Sequence, residues 1–190
     1  MPSKILVFAG SARRDSLNKK LARLAAAAVT SAGGNAVLVD LDDYPLPVYH
    51  GDLESSEGIP ENARRLKTLF KARQGLLIVS PENNASISSL LKNTLDWISR
   101  QDGSESGLAP YRGKVAALMS ASPGALGGLR GLVHLRQVLQ ALGVLTLSEQ
   151  FALSRAHEAF AQDGSLVEAR HRESVANLCT RLVEVTGRLA

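Results

Sequence analysis

Residues 4–18 have the sequence KILVFAGSARRDSLN. The apolar run at residues 5–9 is typical of a strand that is buried on both faces of a parallel sheet. A polar segment follows at residues 10–16, and apolar residues then recur at helical spacing, at Leu17, Leu21, Leu24, Ala25 and Ala28. The start of the chain therefore predicts a buried strand, a polar turn and an amphipathic helix in direct succession.

The same alternation of apolar runs and helical patterns continues to the end of the chain. Further strands are predicted at residues 36–39, 76–79, 115–119 and 144–147, and helices at 61–73, about 89–100, about 132–142 and 175–189. Residues 41–60, rich in Asp, Pro and Gly, predict a long loop. Short buried strands separated by helices indicate an α/β fold with a doubly wound five-stranded parallel sheet and helices on both faces. The flavodoxin-like order 2-1-3-4-5 is the natural choice, within a single domain spanning residues 1–190.

Composition narrows the classes of function. Hydrophobic residues make up 45% and charged residues 21% of the 190 residues, which is ordinary for a globular protein. The net charge of +4 favours an anionic ligand but not nucleic acid, because aromatic residues, at 4%, are too few for base stacking. No segment is long enough to span a membrane or to act as a signal peptide. Cys179 is the only cysteine, which suits a reducing compartment, so we expect a cytoplasmic protein.

The turn after the first strand has features that are typical of an anion-binding site. A strand that leads directly into a helix leaves free backbone N–H groups at the positive end of the helix dipole, which suits a phosphate. Ser11, Ser16 and Asn18 would add neutral donors and Arg13 a charged one. The segment lacks both the G-x-G-x-x-G fingerprint and the P-loop motif. The alternative is that Ser16 only caps the helix and the arginines are solvated.

Two more polar loops follow the third and fourth predicted strands. Residues 80–86 read SPENNAS, and residues 120–128 read SASPGALGG. In doubly wound sheets, ligands bind beyond the carboxyl ends of the strands, near the point where the strand order reverses. We therefore expect the three loops to meet at one site. The alternative for residues 80–86 is a plain Asx-type turn.

Three motifs, in this order and spacing, resemble the NADPH-dependent FMN reductase family, which includes chromate-, quinone- and azo-dye-reducing flavoenzymes. The motifs are G-S-x-R-x-x-S-x-N at residues 10–18, P-E-x-N before L-K-N-x-x-D-W at 81–97, and S-x-G-x-x-G-G-x-R followed by H-L-R-Q at 122–137. The resemblance runs from residue 4 to about residue 144. It implies a flavodoxin-like fold that holds FMN, with NADPH or NADH as co-substrate.

The resemblance also implies roles for eleven residues. The FMN phosphate would be held by Ser11, Arg13, Ser16, Leu17 and Asn18. The isoalloxazine ring would be lined by Pro81, Glu82, Asn83 and Asn84, with Ser122 and Gly124 along its other side. The flavin would carry the chemistry, so no catalytic side chain is required. The four histidines are scattered without metal-ligand spacing, and no metal site is predicted.

The sequence departs from the family pattern in the second motif. Asn83 stands where the family usually has Tyr, and Ser88 and Ser89 stand where it commonly has Pro-Gly. Backbone contacts to a flavin would survive both changes, whereas the choice of acceptor and the contacts between subunits are more sensitive to them.

The function that follows is an NAD(P)H oxidoreductase passing electrons through FMN to quinones, azo compounds, metal oxyanions or free flavin. The alternatives are a flavodoxin-type electron carrier and a family member without catalytic activity; carriers are typically acidic, and this chain is basic. The partner would be a small-molecule acceptor. A homodimer or homotetramer is expected from the resemblance and from Trp97, since large aromatics are enriched in interfaces, although Trp97 could equally belong to the core.

Overall fold

A five-stranded parallel sheet organises the computed structural model, which describes residues 2–189. Its strands are β1 (Lys4–Ala9), β2 (Asn35–Asp40), β3 (Gly75–Val79), β6 (Val115–Ala121) and β7 (Leu145–Leu153). A separate hairpin consists of two short strands of two residues each, β4 (Glu82–Asn83) and β5 (Ser86–Ile87). The helices are α1 (Leu17–Ser31), α2 (Gly51–Glu57), α3 (Glu61–Lys71), α4 (Ser89–Ile98), α5 (Leu129–Ala141) and α6 (Ala169–Leu189), with a 3₁₀ turn at Leu41–Asp43.

The strand order confirms the predicted topology. The sheet runs β2-β1-β3-β6-β7 with every neighbouring pair parallel. Once the small hairpin is set apart, this is the flavodoxin-like order 2-1-3-4-5.

Helices cover both faces of the sheet, because alternate side chains of each buried strand point to opposite sides. Ile5 and Val7 of β1 pack in one cluster with α1 and α6, and Leu6 and Phe8 pack in another with α3, α4 and α5. Cys179 is fully buried in the first cluster, where burial raises the pKa of its thiol to about 12. It is therefore a small core residue. Among the helices formed by residues 2–189, none combines the length and apolar character needed to cross a bilayer.

Residues 41–60 differ from the long loop that the sequence predicts, since they contain the 3₁₀ turn and α2. Two side chains of α4 hold this segment in place. The Pro47 carbonyl accepts hydrogen bonds from Asn93 Nδ2 at 2.9 Å and from Trp97 Nε1 at 2.8 Å. Trp97 is fully buried within its own chain. Of the two roles left open for it, the core role is correct, and Trp97 gives no support for a subunit interface.

The last strand, β7, extends six residues beyond its predicted end at residue 147. The sequence does not predict this extension because residues 148–150 are polar. They are polar because β7 lies at the sheet edge and exposes one face. Arg136 of α5 supports its irregular middle, donating to the Leu147 carbonyl at 2.6 Å and to Gln150 Oε1 at 3.0 Å. Arg136 therefore has a packing role, since it joins α5 to β7.

Candidate functional site

A cleft of about 450 Å³ lies at the carboxyl ends of β1, β3 and β6. Nine of the eleven predicted residues line it, namely Ser11, Arg13, Ser16, Leu17, Asn18, Pro81, Glu82, Asn83 and Ser122. Asn84 and Gly124 do not: Asn84 lines a neighbouring cleft, and Gly124 donates its N–H to Ser122 Oγ at 3.2 Å. The three loops therefore meet at one site, as the strand order requires.

One end of the cleft is rich in unpaired hydrogen-bond donors. Ser16 is the N-cap of α1 and its hydroxyl accepts from the Lys19 N–H at 3.3 Å. The N–H groups of Leu17 and Asn18, in the first turn of the helix, have no partner within residues 2–189. The exposed guanidinium of Arg13 likewise has none in that range. Free N–H groups at a helix N-terminus beside an arginine form a site suited to a phosphate group.

The Asn18 side chain has a structural contact in addition to the role that the motif implies. Its Nδ2 donates to the Ala121 carbonyl at 2.9 Å, and its Oδ1 accepts from the Ala121 N–H at 2.9 Å. The side chain is 5% exposed and joins the start of α1 to the end of β6. One of its two amide N–H groups and its amide oxygen are therefore bound within the chain, and its backbone N–H is a further donor at the cleft.

The second loop forms the hairpin of β4 and β5. Asn84 and Ala85, at its tip, have φ of 49° and 63°, the left-handed conformation at both central positions of a type I′ turn. This turn is the structure that residues 80–86 adopt, in place of an Asx-type turn. Pro81 and Asn83 lie on either side of Glu82 and line the cleft with it.

The carboxylate of Glu82 is directed to α5. It accepts from Arg130 Nε at 2.8 Å and from the Gly131 N–H at 3.2 Å, and a second Arg130 nitrogen also bonds to it. Burial raises the pKa of this carboxyl, but the hydrogen bonds from Arg130 and Gly131 outweigh it, and the pKa lies below its usual range. Glu82 is thus ionised and fixes the hairpin to α5.

The glycines of the third loop contact the chain itself. Gly127 has φ of 61°, and a Cβ there would lie 2.7 Å from the Ser154 nitrogen, so no larger residue fits. The carbonyl of Gly127 accepts from Ser120 Oγ at 2.7 Å. Gly127 thus allows the loop to pack on the end of β7. Of the two residues of this loop that were predicted to line the ring, Ser122 lines the cleft.

Sequence reasoning missed the start of α4 as part of the cleft. Ser88, Ser89 and Leu90 all line it. The hydroxyl of Ser88 donates to the Gly10 carbonyl at 2.6 Å and accepts from the Leu91 N–H at 3.1 Å. Ser88 therefore caps α4 and connects it to the first loop, which a proline at this position could not do. The signal was present, because Ser is a preferred N-cap and the predicted helix starts directly after it.

The residues of the cleft fit FMN. The donors at the start of α1 suit its phosphate, and the wall formed by the second loop and the start of α4 continues from that end. A volume of about 450 Å³ is within the range of clefts that hold ligands of this size.

The proteins to which this chain is similar are consistent with a flavin-binding site. The model of the NADPH-dependent FMN reductase family matches residues 3–158. A 2-hydroxy-1,4-benzoquinone reductase of Burkholderia is 39% identical over 149 residues, covering 78% of this chain and 76% of the relative. An NAD(P)H-dependent FMN reductase of Pseudomonas aeruginosa is 34% identical over 173 residues, covering 90% and 89%.

A solved structure shows the same likeness in three dimensions. The flavoenzyme NAD(P)H:(acceptor) oxidoreductase FerB of Paracoccus denitrificans superposes with a TM-score of 0.81 at 27% identity, covering 98% of each chain. The family match and these identities show that the chain is an oxidoreductase of the NADPH-dependent FMN reductase family, whose members use FMN with NAD(P)H as the electron donor.

Proposed function

We propose that the protein is an NAD(P)H:quinone oxidoreductase that works through FMN bound in the cleft, in a single domain spanning residues 1–190. The overall reaction is NAD(P)H + H⁺ + quinone → NAD(P)⁺ + hydroquinone. FMN, when bound, accepts a hydride from the nicotinamide and passes two electrons to the acceptor. The observation that carries the proposal is the convergence of the three loops on one cleft with a phosphate-binding end.

The chain's own residues bind and orient the cofactor in this proposal. The N–H groups of Leu17 and Asn18, the Ser11 hydroxyl and the Arg13 guanidinium hold the phosphate. Pro81 and Asn83 would line the isoalloxazine ring and Ser122 would lie along its other side, while Glu82 keeps the hairpin in place through Arg130. Ser16 and the Asn18 amide, which the sequence also assigns to the phosphate, fix the start of α1 as well.

Quinones are the acceptor class that we favour, because the Burkholderia relative is named for a quinone. Azo compounds, metal oxyanions and free flavin remain alternative acceptors for the same bound flavin. The net charge of +4 speaks against the electron-carrier alternative, since flavodoxin-type carriers are typically acidic.

Purified protein reconstituted with FMN tests the function directly. We expect flavin absorbance that stays with the protein on gel filtration, and NADPH or NADH oxidation that depends on an added quinone. An electron carrier would retain FMN but oxidise neither nucleotide without a separate reductase. A member without activity would show no nucleotide oxidation even if it were loaded with FMN, and one without flavin would not retain FMN.

Asn83 is the position at which we expect acceptor turnover to be tuned. It is exposed and borders the cleft at the hairpin. The change Asn83→Tyr, which restores the usual family residue, adds an aromatic wall worth roughly 0.5–1.5 kcal/mol of contact. Turnover of a quinone should change several-fold to about tenfold. FMN affinity, measured by titrating the apoprotein, should stay nearly constant because the phosphate donors are unchanged. A sharp loss of FMN affinity at constant turnover would contradict this division.

A cytoplasmic homodimer or homotetramer is the assembly that we propose. Support for self-association comes from three exposed apolar side chains at and before the start of α5: Leu126, Leu129 and Val133 are 52%, 40% and 51% exposed. Leu129 and Val133 lie one turn apart on the same face of α5, and exposed apolar residues on one face mark interaction sites. Light scattering at micromolar concentration measures the mass, and a monomeric value would contradict the assembly.

A further inference from the structure

A second cleft, of about 490 Å³, adjoins the cleft proposed to hold FMN (the FMN cleft) at the β4–β5 hairpin. Asn83, Ser88 and Ser89 line both clefts, so the two spaces meet at the hairpin. A molecule in the second cleft would therefore lie beside the ring-binding side of the first. Lys92 of α4 and His134 and Val138 of α5 complete the lining of this side cleft.

The lining of the side cleft combines an apolar surface with a positive one. Ile87 and Val138 are partly buried apolar residues that can contact a flat ring. Lys92 contributes an ammonium group, which is paired with Asp96 one turn further along α4, and no carboxylate among residues 2–189 lines the cleft itself. The FMN cleft differs, since Asp15 and Glu82 line it along with Arg13.

Two groups in the side cleft can donate hydrogen bonds to an oxyanion. Lys92 Nζ lies 2.8 Å from both carboxylate oxygens of Asp96, which uses at most two of its three donors, and its side chain is 48% exposed. His134 is held through Nδ1, which is 3.0 Å from Ser86 Oγ. When the Ser86 hydroxyl donates to Nδ1, the proton of the imidazole lies on Nε2, which has no partner within residues 2–189.

We propose that the side cleft binds electron acceptors that carry an oxyanion on an aromatic or quinonoid ring, such as hydroxyquinone anions. The ring lies against Ile87 and Val138, and Lys92 and His134 bind the oxyanion. This assignment rests on the proposed quinone reductase function and names its substrate class. The acceptor takes up two electrons and two protons in becoming a hydroquinone, which NAD(P)H and one proton from solvent supply.

Binding to the oxidised, FMN-loaded enzyme tests the proposal without turnover. The probes are 2-hydroxy-1,4-naphthoquinone, which is ionised at neutral pH, and its neutral analogue 2-methoxy-1,4-naphthoquinone, each titrated by calorimetry in the absence of NAD(P)H. The change Lys92→Gln should raise Kd for the hydroxy compound about three- to tenfold and leave Kd for the methoxy compound unchanged. The matched control is Lys71→Gln, since Lys71 is also half-exposed and paired, with Glu105 at 2.7 Å, but lies outside the side cleft.

A second variant has the opposite expected sign. Asp96→Asn releases Lys92 from its carboxylate partner, so Kd for the hydroxy compound should fall severalfold while Kd for the methoxy compound stays constant. Equal changes for both compounds in either variant, or no change for the hydroxy compound, would overturn the assignment. If the charge dependence holds but the enzyme oxidises NADPH and NADH with neither quinone, the proposed function fails on its own; if turnover occurs without the charge dependence, only this inference fails.

Discussion

Arg13 and its neighbour Arg14 are both exposed, but only Arg13 lines the FMN cleft. The change Arg13→Gln should weaken FMN binding about ten- to hundredfold, because a hydrogen bond to a charged group contributes about 1.5–3 kcal/mol. Arg14→Gln is the matched control and should leave the affinity unchanged. Fluorescence titration of the apoprotein with FMN gives both values. Equal losses in the two variants would indicate a general charge effect in place of a direct contact.

The Asn18 side chain stabilises the fold through Ala121. The change Asn18→Ala leaves the N–H and the carbonyl of Ala121 without their partner in a buried place, and we expect the free energy of unfolding to fall by about 2–4 kcal/mol. Urea unfolding of the apoprotein measures this loss. Asn62→Ala is the control, because the Asn62 amide donates to Pro45 at an exposed position and its loss should cost below about 1 kcal/mol. A similar small loss at Asn18 would show that the buried pair contributes little.

For individual residues, the sequence could predict which of them line the site but not which atom of each residue faces the cleft. Ser16 and Asn18 both line the cleft, since the turn after a buried strand leads to the helix N-terminus. The partner of the Asn18 amide is 103 positions away along the chain. A local pattern contains no information about such a contact, so the amide could not be distinguished from a free donor.

Among the elements, the β4–β5 hairpin has one residue that is poorly suited to its conformation. Ala85 has φ of 63°, where a Cβ costs about 1–2 kcal/mol. After the greater freedom of glycine in the unfolded chain is subtracted, Ala85→Gly should stabilise the protein by roughly 0.5–1 kcal/mol. The control is the exposed Ala72, which ends α3 with φ of −74° and where glycine should destabilise. Thermal unfolding of the two variants should give shifts of opposite sign; shifts of the same sign would contradict the strain at Ala85.

The elements that the sequence predicted well are those buried on both sides. Strands β1, β3 and β6 are continuous apolar runs because helices cover both of their faces. The elements that were predicted poorly lie at the surface: α2, which was predicted as loop, has no buried residue, and β7, of which only the first part was predicted, has an exposed face. Their apolar patterns are weak because few of their side chains reach the core, and tertiary contacts such as those of Arg136 fix them instead.

For the whole molecule, the parallel sheet explains why residues far apart in sequence form one site. Because β1, β3 and β6 run in the same direction, their carboxyl ends meet at one edge, and the loops that follow them surround the cleft. The bonds of Ser88 to Gly10 and of Asn18 to Ala121 then connect these loops in pairs. A ligand that contacts all three loops should therefore stabilise the entire fold.

Ligand-induced stabilisation gives a test of the phosphate end that does not depend on turnover. A ligand that binds only the folded state at a hundred times its Kd adds about 2.7 kcal/mol, which for a domain of this size raises Tm by roughly 5–10 °C. FMN should produce such a shift, and riboflavin, which lacks the phosphate, should produce less than half of it at the same concentration. Arg13→Gln should reduce the difference between the two flavins, since it removes a group that only FMN can use, whereas Arg14→Gln should preserve it. Equal shifts for FMN and riboflavin in the unmodified protein would mean that the start of α1 does not hold the phosphate, and its unpaired N–H groups would then need another ligand.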